Sequence, residues 1–428
     1  MKKKILKFIE KFFALCAKHY IWKTKPYVIG ITGSVGKTSC RMIVYQVLTQ
    51  FYNWKSIYTS PKNFNSELGL VFSIFQIESF NPSVSEVLKV GKLIIQKTIS
   101  WQKQYDVIVL EYGVDHPWDM DFLLSIVKPD LAIFTKLDTV HAENFNNPSW
   151  IWDEKSKLML AAKERIYLNA KDETCVANKE IFEAETKLYN NEEIWSEKYS
   201  LEYKNWTLQS KYYYKNIQVS SWLLGKENAE YVCLWLDILK NFFWIIWENI
   251  WSNIAIEWNM QPWRFSLFEW VCDSILIDSS YNATFASMKQ MIENTRDIQS
   301  KLFQDYQLLF VIGDMRELWN QSEIEHKKLS KLLKDETVIS VWKETKKYFD
   351  MSDHANFMSS REAWEYLKDY IQNKSEKYLV LFKWSQNTIF LEEAVRILLK
   401  KSQDQEKLPR MNDFWIQKKQ SFFDWLQK

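Results

Sequence analysis

A chain of 428 residues is too long for one ordinary core and, at roughly 100–200 residues per domain, reads as two or three domains. Hydrophobic content of 47% and charged content of 26% exclude a disordered chain, and a net charge of +2 excludes a dominant nucleic-acid surface. Cys16, Cys40, Cys175, Cys233 and Cys272 are odd in number and form no C-x-x-C pair, so they read as reduced thiols of a cytoplasmic protein, not a disulfide or zinc framework.

Residues 1–25 open with lysines after Met1. Ile5, Phe8, Ile9, Phe12, Phe13 and Cys16 then follow helical spacing. Glu10 and Lys11 interrupt any signal-peptide core, and no apolar run along the chain reaches the length of a membrane span. The spacing predicts a basic amphipathic helix. One reading packs it on the domain that follows; the second gives weak contact with a membrane surface through residues 1–20.

Tyr27–Thr32 reads as a strand, and Thr38–Gln50 as a helix. Between them lies the loop Thr32, Gly33, Ser34, Val35, Gly36, Lys37, Thr38, Ser39. Glycines there let backbone N–H groups face phosphate oxygens, and the helix N-terminus adds positive potential. The loop is expected to bind ATP, with Lys37 on the β- and γ-phosphates and the Thr38 hydroxyl on Mg²⁺. It departs from strict phosphate-loop spacing, because Gly30 precedes Gly36 by six positions and Ile31 holds the formal first-glycine site.

Val107–Leu110 is a buried strand ending in Glu111, and Leu131–Thr135 is another. The stretch Lys171–Gln218 is charged, Tyr-rich and weakly periodic, which suits an antiparallel excursion or a peripheral flap. Pro262 marks a boundary before a new strand series, Ile275–Asp278, Leu308–Gly313 and Tyr378–Phe382. Short apolar strands alternating with helical segments predict an α/β fold with mainly parallel sheets and ligands at the strands' carboxyl ends.

Composition holds one anomaly. Glycine occurs 8 times and tryptophan 22 times, whereas ordinary usage of roughly 7% glycine would give about 30. Trp118, Trp263, Trp319 and Trp384 stand where turn chemistry favours glycine. A gene that reads UGA as glycine, translated with UGA as tryptophan, gives this pattern; the alternative is an aromatic-rich protein.

The loop T-G-S-V-G-K-T-S resembles the variant found in the Mur ligase family. Ser60-Pro61-Lys62-Asn63-Phe64-Asn65-Ser66-Glu67-Leu68-Gly69 is similar to the Asn-rich loop of its MurF branch. Leu110-Glu111-Tyr112-Gly113, Asp119-Met120-Asp121 and Lys128-Pro129-Asp130 through to His141 resemble the blocks that follow. So do Asp278-Ser279-Ser280-Tyr281-Asn282-Ala283, and Gly313-Asp314-Met315-Arg316-Glu317-Leu318 with His326. The family has glycine at the positions of Trp118, Trp263, Trp319 and Trp384.

The resemblance implies a central ATP-binding domain over 26–262 and a Rossmann-like C-terminal domain over 263–428. It implies an ATP- and Mg²⁺-dependent amide ligase that phosphorylates a carboxylate and adds an amine. The acceptor would be a UDP-muramoyl-peptide-like molecule and the amine a dipeptide such as D-alanyl-D-alanine. Glu111 suits a hard-oxygen Mg²⁺ ligand. His141 would be a metal ligand or substrate contact, and Lys155 the lysine that becomes carbamylated; on its own residues Lys155 reads as a solvated surface lysine. Asn63 and Asn65 would hydrogen-bond phosphate or substrate, or make Asx turns. Arg264 would reach the nucleotide phosphates, and Asp278 and Asn282 would meet the adenosine or the domain hinge. A monomer is expected.

Two departures bear on the acceptor. The family's N-terminal domain, which holds the nucleotide-sugar peptide, is expected to be missing or replaced by the basic helix. Lys136 and Glu227 stand where the family has asparagine and histidine. Rival readings are a folylpolyglutamate- or cyanophycin-synthetase-like ligase, and a nucleotide-binding interaction protein without ligase activity.

Overall fold

Apolar runs too short for helices become the strands of two mainly parallel sheets in the computed structural model of the chain, and the segments between them become crossover helices. The structure describes residues 2–60, 67–77, 80, 84–100, 102–114, 116–137, 149–190, 195–204, 207–241, 253–257, 265–280, 283–316, 318, 321–349, 354–374, 376–384, 390, 392–399, 408 and 413–426. The chain divides into two compact units. One holds residues 1–199, 212–220 and 226–255; the other holds 200–211, 221–225 and 256–428.

The first unit begins with α1 (Lys2–Thr24), β1 (Tyr27–Thr32), α2 (Lys37–Phe51), β2 (Ile57–Thr59), α3 (Glu67–Ile74), α4 (Val84–Ser100) and β3 (Val107–Glu111). It continues through α5 (Asp119–Ile126), β4 (Leu131–Phe134), α6 (Ser149–Leu160), β5 (Arg165–Asn169), α7 (Glu173–Ala177) and β6 (Glu185–Tyr189). Its sheet runs β2-β3-β1-β4-β5-β6, parallel throughout. β1 lies between β3 and β4, with Ile29 in register with Val109 on one side and Leu131 on the other. Chain direction across the sheet reverses at β1, so a crevice opens beyond the carboxyl ends of β1, β3 and β4.

Both faces of this sheet are covered, which is why β1 and β3 are almost entirely apolar. Phe13, Ala17 and Tyr20 of α1 join the core of one face, and the Tyr20 hydroxyl donates to Gln102 O at 3.1 Å. The N-terminal helix is therefore packed on the domain, as the first reading expected. The stretch 171–218 is not wholly an excursion: β6 pairs parallel with β5 as the sheet's edge. Its later part carries β7 (Trp195–Lys204), β8 (Thr207–Tyr214) and β9 (Ile217–Ser221). α8 (Lys226–Asn241) and β10 (Asn253–Ile256) follow, and a four-stranded sheet runs β10-β9-β8-β7.

The second unit contains β11 (Ser266–Glu269), β12 (Ile275–Asp278), α9 (Phe285–Leu302), β13 (Tyr306–Gly313), α10 (Ser322–Leu332) and β14 (Thr337–Val341). After them come α11 (Lys343–Tyr348), β15 (His354–Phe357), α12 (Ser360–Gln372), β16 (Lys377–Lys383), α13 (Glu392–Leu398) and α14 (Asp413–Leu426). Its sheet runs β11-β12-β16-β13-β14-β15, with β11 antiparallel and the other strands parallel. Leu309, Val311, Val380 and Phe382 form the centre of one core face. Among the described residues no helix is long and apolar enough to cross a membrane.

Among the described residues, two tryptophans occupy glycine-favouring backbone. Trp118 caps α5 with φ 78° and ψ −3°, its side chain 75% exposed. Trp342 caps α11 with φ 99° and ψ −172°, a conformation open essentially to glycine alone. Trp384 is completely buried at the end of β16. Trp263 and Trp319 lie outside the described residues.

Candidate active site

The phosphate-type loop leaves β1 at Thr32, whose hydroxyl donates to Tyr112 O at 2.9 Å and so ties β1 to the end of β3. Gly33 and Gly36 have φ of 138° and 88°, and a Cβ at either would collide, with the Thr135 hydroxyl at Gly33 and with the Tyr231 hydroxyl at Gly36. Glycine is therefore required twice over, by conformation and by space. The end of β4 clamps the loop: Ser34 N donates to Lys136 O at 2.7 Å, and the Thr135 hydroxyl donates to Val35 O at 2.6 Å. Lys37 opens α2, and its ammonium lies across the loop, donating to Gly33 O at 2.8 Å and Ser34 O at 3.0 Å.

At the second residue of α2, the Thr38 hydroxyl donates to Glu111 Oε2 at 3.0 Å. Arg41 Nε donates to the same carboxylate at 3.2 Å, with the arginine and glutamate side chains only 2% and 5% exposed. The guanidinium also holds the Thr59 hydroxyl at 2.8 Å and the Ser60 carbonyl. A buried carboxylate needs such a counter-charge, since removing one partner of a buried pair typically costs about 3–5 kcal/mol. The outcome is a hard oxygen pair, Thr38 and Glu111, held at the lip of the phosphate-type loop. This donor chemistry fits a divalent cation such as Mg²⁺.

Lys155 is not a solvated lysine. It is 2% exposed on α6 and donates to Val114 O at 3.4 Å, in the segment that follows Glu111. Its neighbours Glu154 and Lys157 make a separate network: buried Glu154 accepts from Met120 N at 2.8 Å and from Lys157 at 2.7 Å. On the other flank of the loop, Lys171 pairs with Glu230 of α8. Burial raises the Glu230 carboxyl, and Lys171 opposes that rise. Burial likewise pushes the Cys40 thiol far up, so Cys40 is an inert core thiol.

Lys37, Thr38, Glu111 and Lys155 thus converge on one edge of the first sheet. Arg41, Thr135 and Tyr231 belong to the same edge and were not expected from sequence. Arg41 had a signal: three residues after Thr38, it shares that residue's helix face. Tyr231 had none. His141, Asn63, Asn65, Arg264 and Asn282 lie outside the described residues. Among the described residues no group of three His, Cys, Asp or Glu side chains gathers as a metal site.

In the second unit Asp278 ends β12 fully buried, and its Oδ1 accepts from Ser280 N at 3.1 Å. Asp314 and Met315 of the Gly313–Leu318 block make contacts within the fold. Asp314 accepts from Glu344 N and Thr345 N, each at 2.9 Å, and from the Thr345 hydroxyl at 3.0 Å. His326 Nε2 accepts from Met315 N at 3.1 Å, which leaves its Nδ1 proton for Ser322 O at 2.8 Å. Burial raises the Asp314 carboxyl against these donors.

The family model described as Mur ligase middle domain matches residues 31–234, the span that holds the loop, Glu111, Lys155 and Glu230. Over that span the chain resembles the Mur ligase family. It is 23% identical over 403 residues to the UDP-N-acetylmuramoyl-tripeptide--D-alanyl-D-alanine ligase of Bacillus subtilis (strain 168), covering 90% of this chain and 78% of that one. Against the enzyme of the same name from Borreliella burgdorferi it is 26% identical over 335 residues, covering 75% of this chain and 62% of the relative. The crystal structure of MurF ligase from Thermotoga maritima in complex with ADP superposes with a TM-score of 0.70 at 20% identity, over 93% of this chain and 84% of that one. The sequence likeness is thus to ligases of the MurF kind, and the α/β fold agrees with it.

Proposed function

We propose that this chain is an ATP-dependent amide ligase of peptidoglycan precursor synthesis, joining D-alanyl-D-alanine or a similar dipeptide to a UDP-N-acetylmuramoyl peptide. The observation that carries the reading is the meeting of the glycine loop, Lys37, Thr38, Glu111 and buried Lys155 at one sheet edge. The alignment with a ligase of that name over 90% of the chain supports the substrate class.

The chemistry runs in two displacements. An acceptor carboxylate oxygen attacks the γ-phosphorus of ATP, the bond to the bridging oxygen breaks, and ADP leaves with that electron pair. The dipeptide amine then attacks the carbonyl carbon of the acyl phosphate and loses a proton. The C–O bond to phosphate breaks, giving amide and inorganic phosphate.

The chain's own residues supply position and charge. The N-terminus of α2 faces the phosphates with its dipole. Lys37 turns from the loop carbonyls to the β- and γ-phosphates. Arg41 holds the Glu111 side chain in place and aimed at Thr38. Mg²⁺ would be held by Thr38 and Glu111, with His141 and a carbamylated Lys155 as further ligands, and would offset the charge of the transferring phosphoryl group. Carbamylation requires a neutral amine, and a lysine buried at this edge suits that requirement. Such an enzyme works where ATP is supplied, on the cytoplasmic side.

The test uses the chain with glycine at positions 118, 263, 319 and 384. With ATP, Mg²⁺, UDP-N-acetylmuramoyl tripeptide and D-alanyl-D-alanine, ADP release beyond one turnover is expected only when acceptor and amine are both present. Release that never depends on an amine counts against ligation, and release driven by a folate and glutamate moves the assignment to another Mur-type ligase.

A further inference from the structure

α1 buries Phe13, Ala17 and Tyr20, yet its opposite side is also apolar. Phe8, Phe12 and Leu15 follow each other at spacings of four and three, which is one helical stripe, and they are 73%, 40% and 65% exposed. α4 repeats the arrangement. It buries Val90 and Ile94, while Leu88, Ile95 and Ile99 form a second stripe, 69%, 40% and 70% exposed. The two helices lie side by side, since the Phe13 ring approaches Gly91 to within 3.6 Å of a Cβ position and Cys16 meets Thr98. Both stripes border the solvent side of that seam, on helices of the same unit.

Charge decides what could cover them. α1 carries seven lysines against one acid, Glu10, and α4 carries three against Glu86. Lys7, Lys11 and Lys18 are exposed along one flank of the first stripe, and Lys92 is exposed within the line of the second. Exposed apolar side chains edged by lysines at helical spacing match a bilayer surface whose headgroups are anionic: the apolar groups enter the headgroup–acyl boundary and the ammonium groups meet phosphate. A second copy of the same strongly basic face would meet like charge.

We propose that the α1–α4 face docks this chain on anionic phospholipid membranes as a peripheral, non-spanning contact. The contact is independent of the ligase reading, because none of its residues belongs to the nucleotide edge.

The test is co-sedimentation of the full chain with vesicles of phosphatidylcholine alone and of phosphatidylcholine with about one third phosphatidylglycerol, at low and high salt. Binding is expected only to the phosphatidylglycerol vesicles and should weaken with salt. It should fall ~10-fold or more in F8S/F12S/L15S, in L88S/I95S/I99S and in K7E/K11E/K18E. Melting temperatures of the variants should stay at the parent value, because the replaced side chains face solvent. Equal binding to both vesicle types, no binding to either, or unchanged binding in the triple variants overturns the proposal. So does a lowered melting temperature in the apolar variants, or a dimer in sedimentation velocity that those variants dissolve.

Discussion

At the carboxyl edge of the first sheet, Gly33 and Gly36 hold a loop in conformations no other residue accepts easily, and Thr38 and Glu111 stand ready beside it. At the carboxyl edge of the second sheet, Asp314 is closed upon by three donors from Glu344 and Thr345, and His326 is tied at both ring nitrogens. Both edges carry motifs that resemble family blocks. Among the described residues, the first edge alone leaves a loop lysine on exchangeable carbonyls and a hard oxygen pair for a cation. A motif at a strand end is thus functional or architectural according to whether its polar atoms are spent inside the fold.

That contrast can be broken most forcefully at Lys37. Lys37→Ala removes a charge from the phosphates and, from the fold, its hydrogen bonds to the carbonyls of a part-buried loop, so kcat/KM for ligation should fall by about 10³-fold, or about 4 kcal/mol, with the melting temperature little changed. A variant that unfolds would place Lys37 with the architectural residues. Lys155→Ala should cost about 10²-fold or more in the same assay, and short-chain carboxylic acids should restore part of it by supplying the missing carboxylate. Full activity in that variant removes the carbamate role.

The second edge should answer in the opposite way. Asp314→Ala leaves Glu344 N and Thr345 N without their acceptor and should destabilise the protein by about 2–4 kcal/mol in urea unfolding, while nucleotide affinity at the first edge is kept. Burial raises the Asp314 carboxyl above its unfolded value, so the native state binds the extra proton. Stability from this group is then present at low pH and lost as pH rises from the unfolded carboxylate value through the raised folded one. Asp314→Asn should remove that slope. An unchanged slope would assign the burial effect elsewhere.

The smallest expected effect concerns the tryptophans. Trp342→Gly and Trp118→Gly should each stabilise by about 1 kcal/mol, because glycine accepts φ of 99° and 78° without strain. Destabilisation would favour an aromatic-rich protein. Mass spectrometry of the natural protein gives the direct answer, since tryptophan masses at 118, 263 and 319 would end the recoding idea.

Much of the first edge was legible because its signals are local. Gly33, Gly36, Lys37 and Thr38 are neighbours in sequence, and Glu111 ends an apolar run that only a buried strand explains. Both parallel sheets followed from the same alternation of short apolar runs and helical segments. Arg41 escaped notice because an arginine on a helix reads as a solvated face until β3 is set beside β1. Tyr231 escaped because α8 approaches Gly36 only through tertiary packing. Lys155 reads as a surface lysine in its charged surroundings, and burial by the segment after β3 reverses that reading. Trp342 carries no sequence cue; its backbone angles supply one.

The central claim, amide ligation through an acyl phosphate at the Lys37–Glu111 edge, is tested most directly by isotope transfer. The acceptor carboxylate is labelled with ¹⁸O and turned over with ATP, Mg²⁺ and the dipeptide. One labelled oxygen per turnover should appear in inorganic phosphate, because the carboxylate oxygen that attacks phosphorus leaves with it. Amide formed with unlabelled phosphate, or label recovered in AMP, would contradict the account.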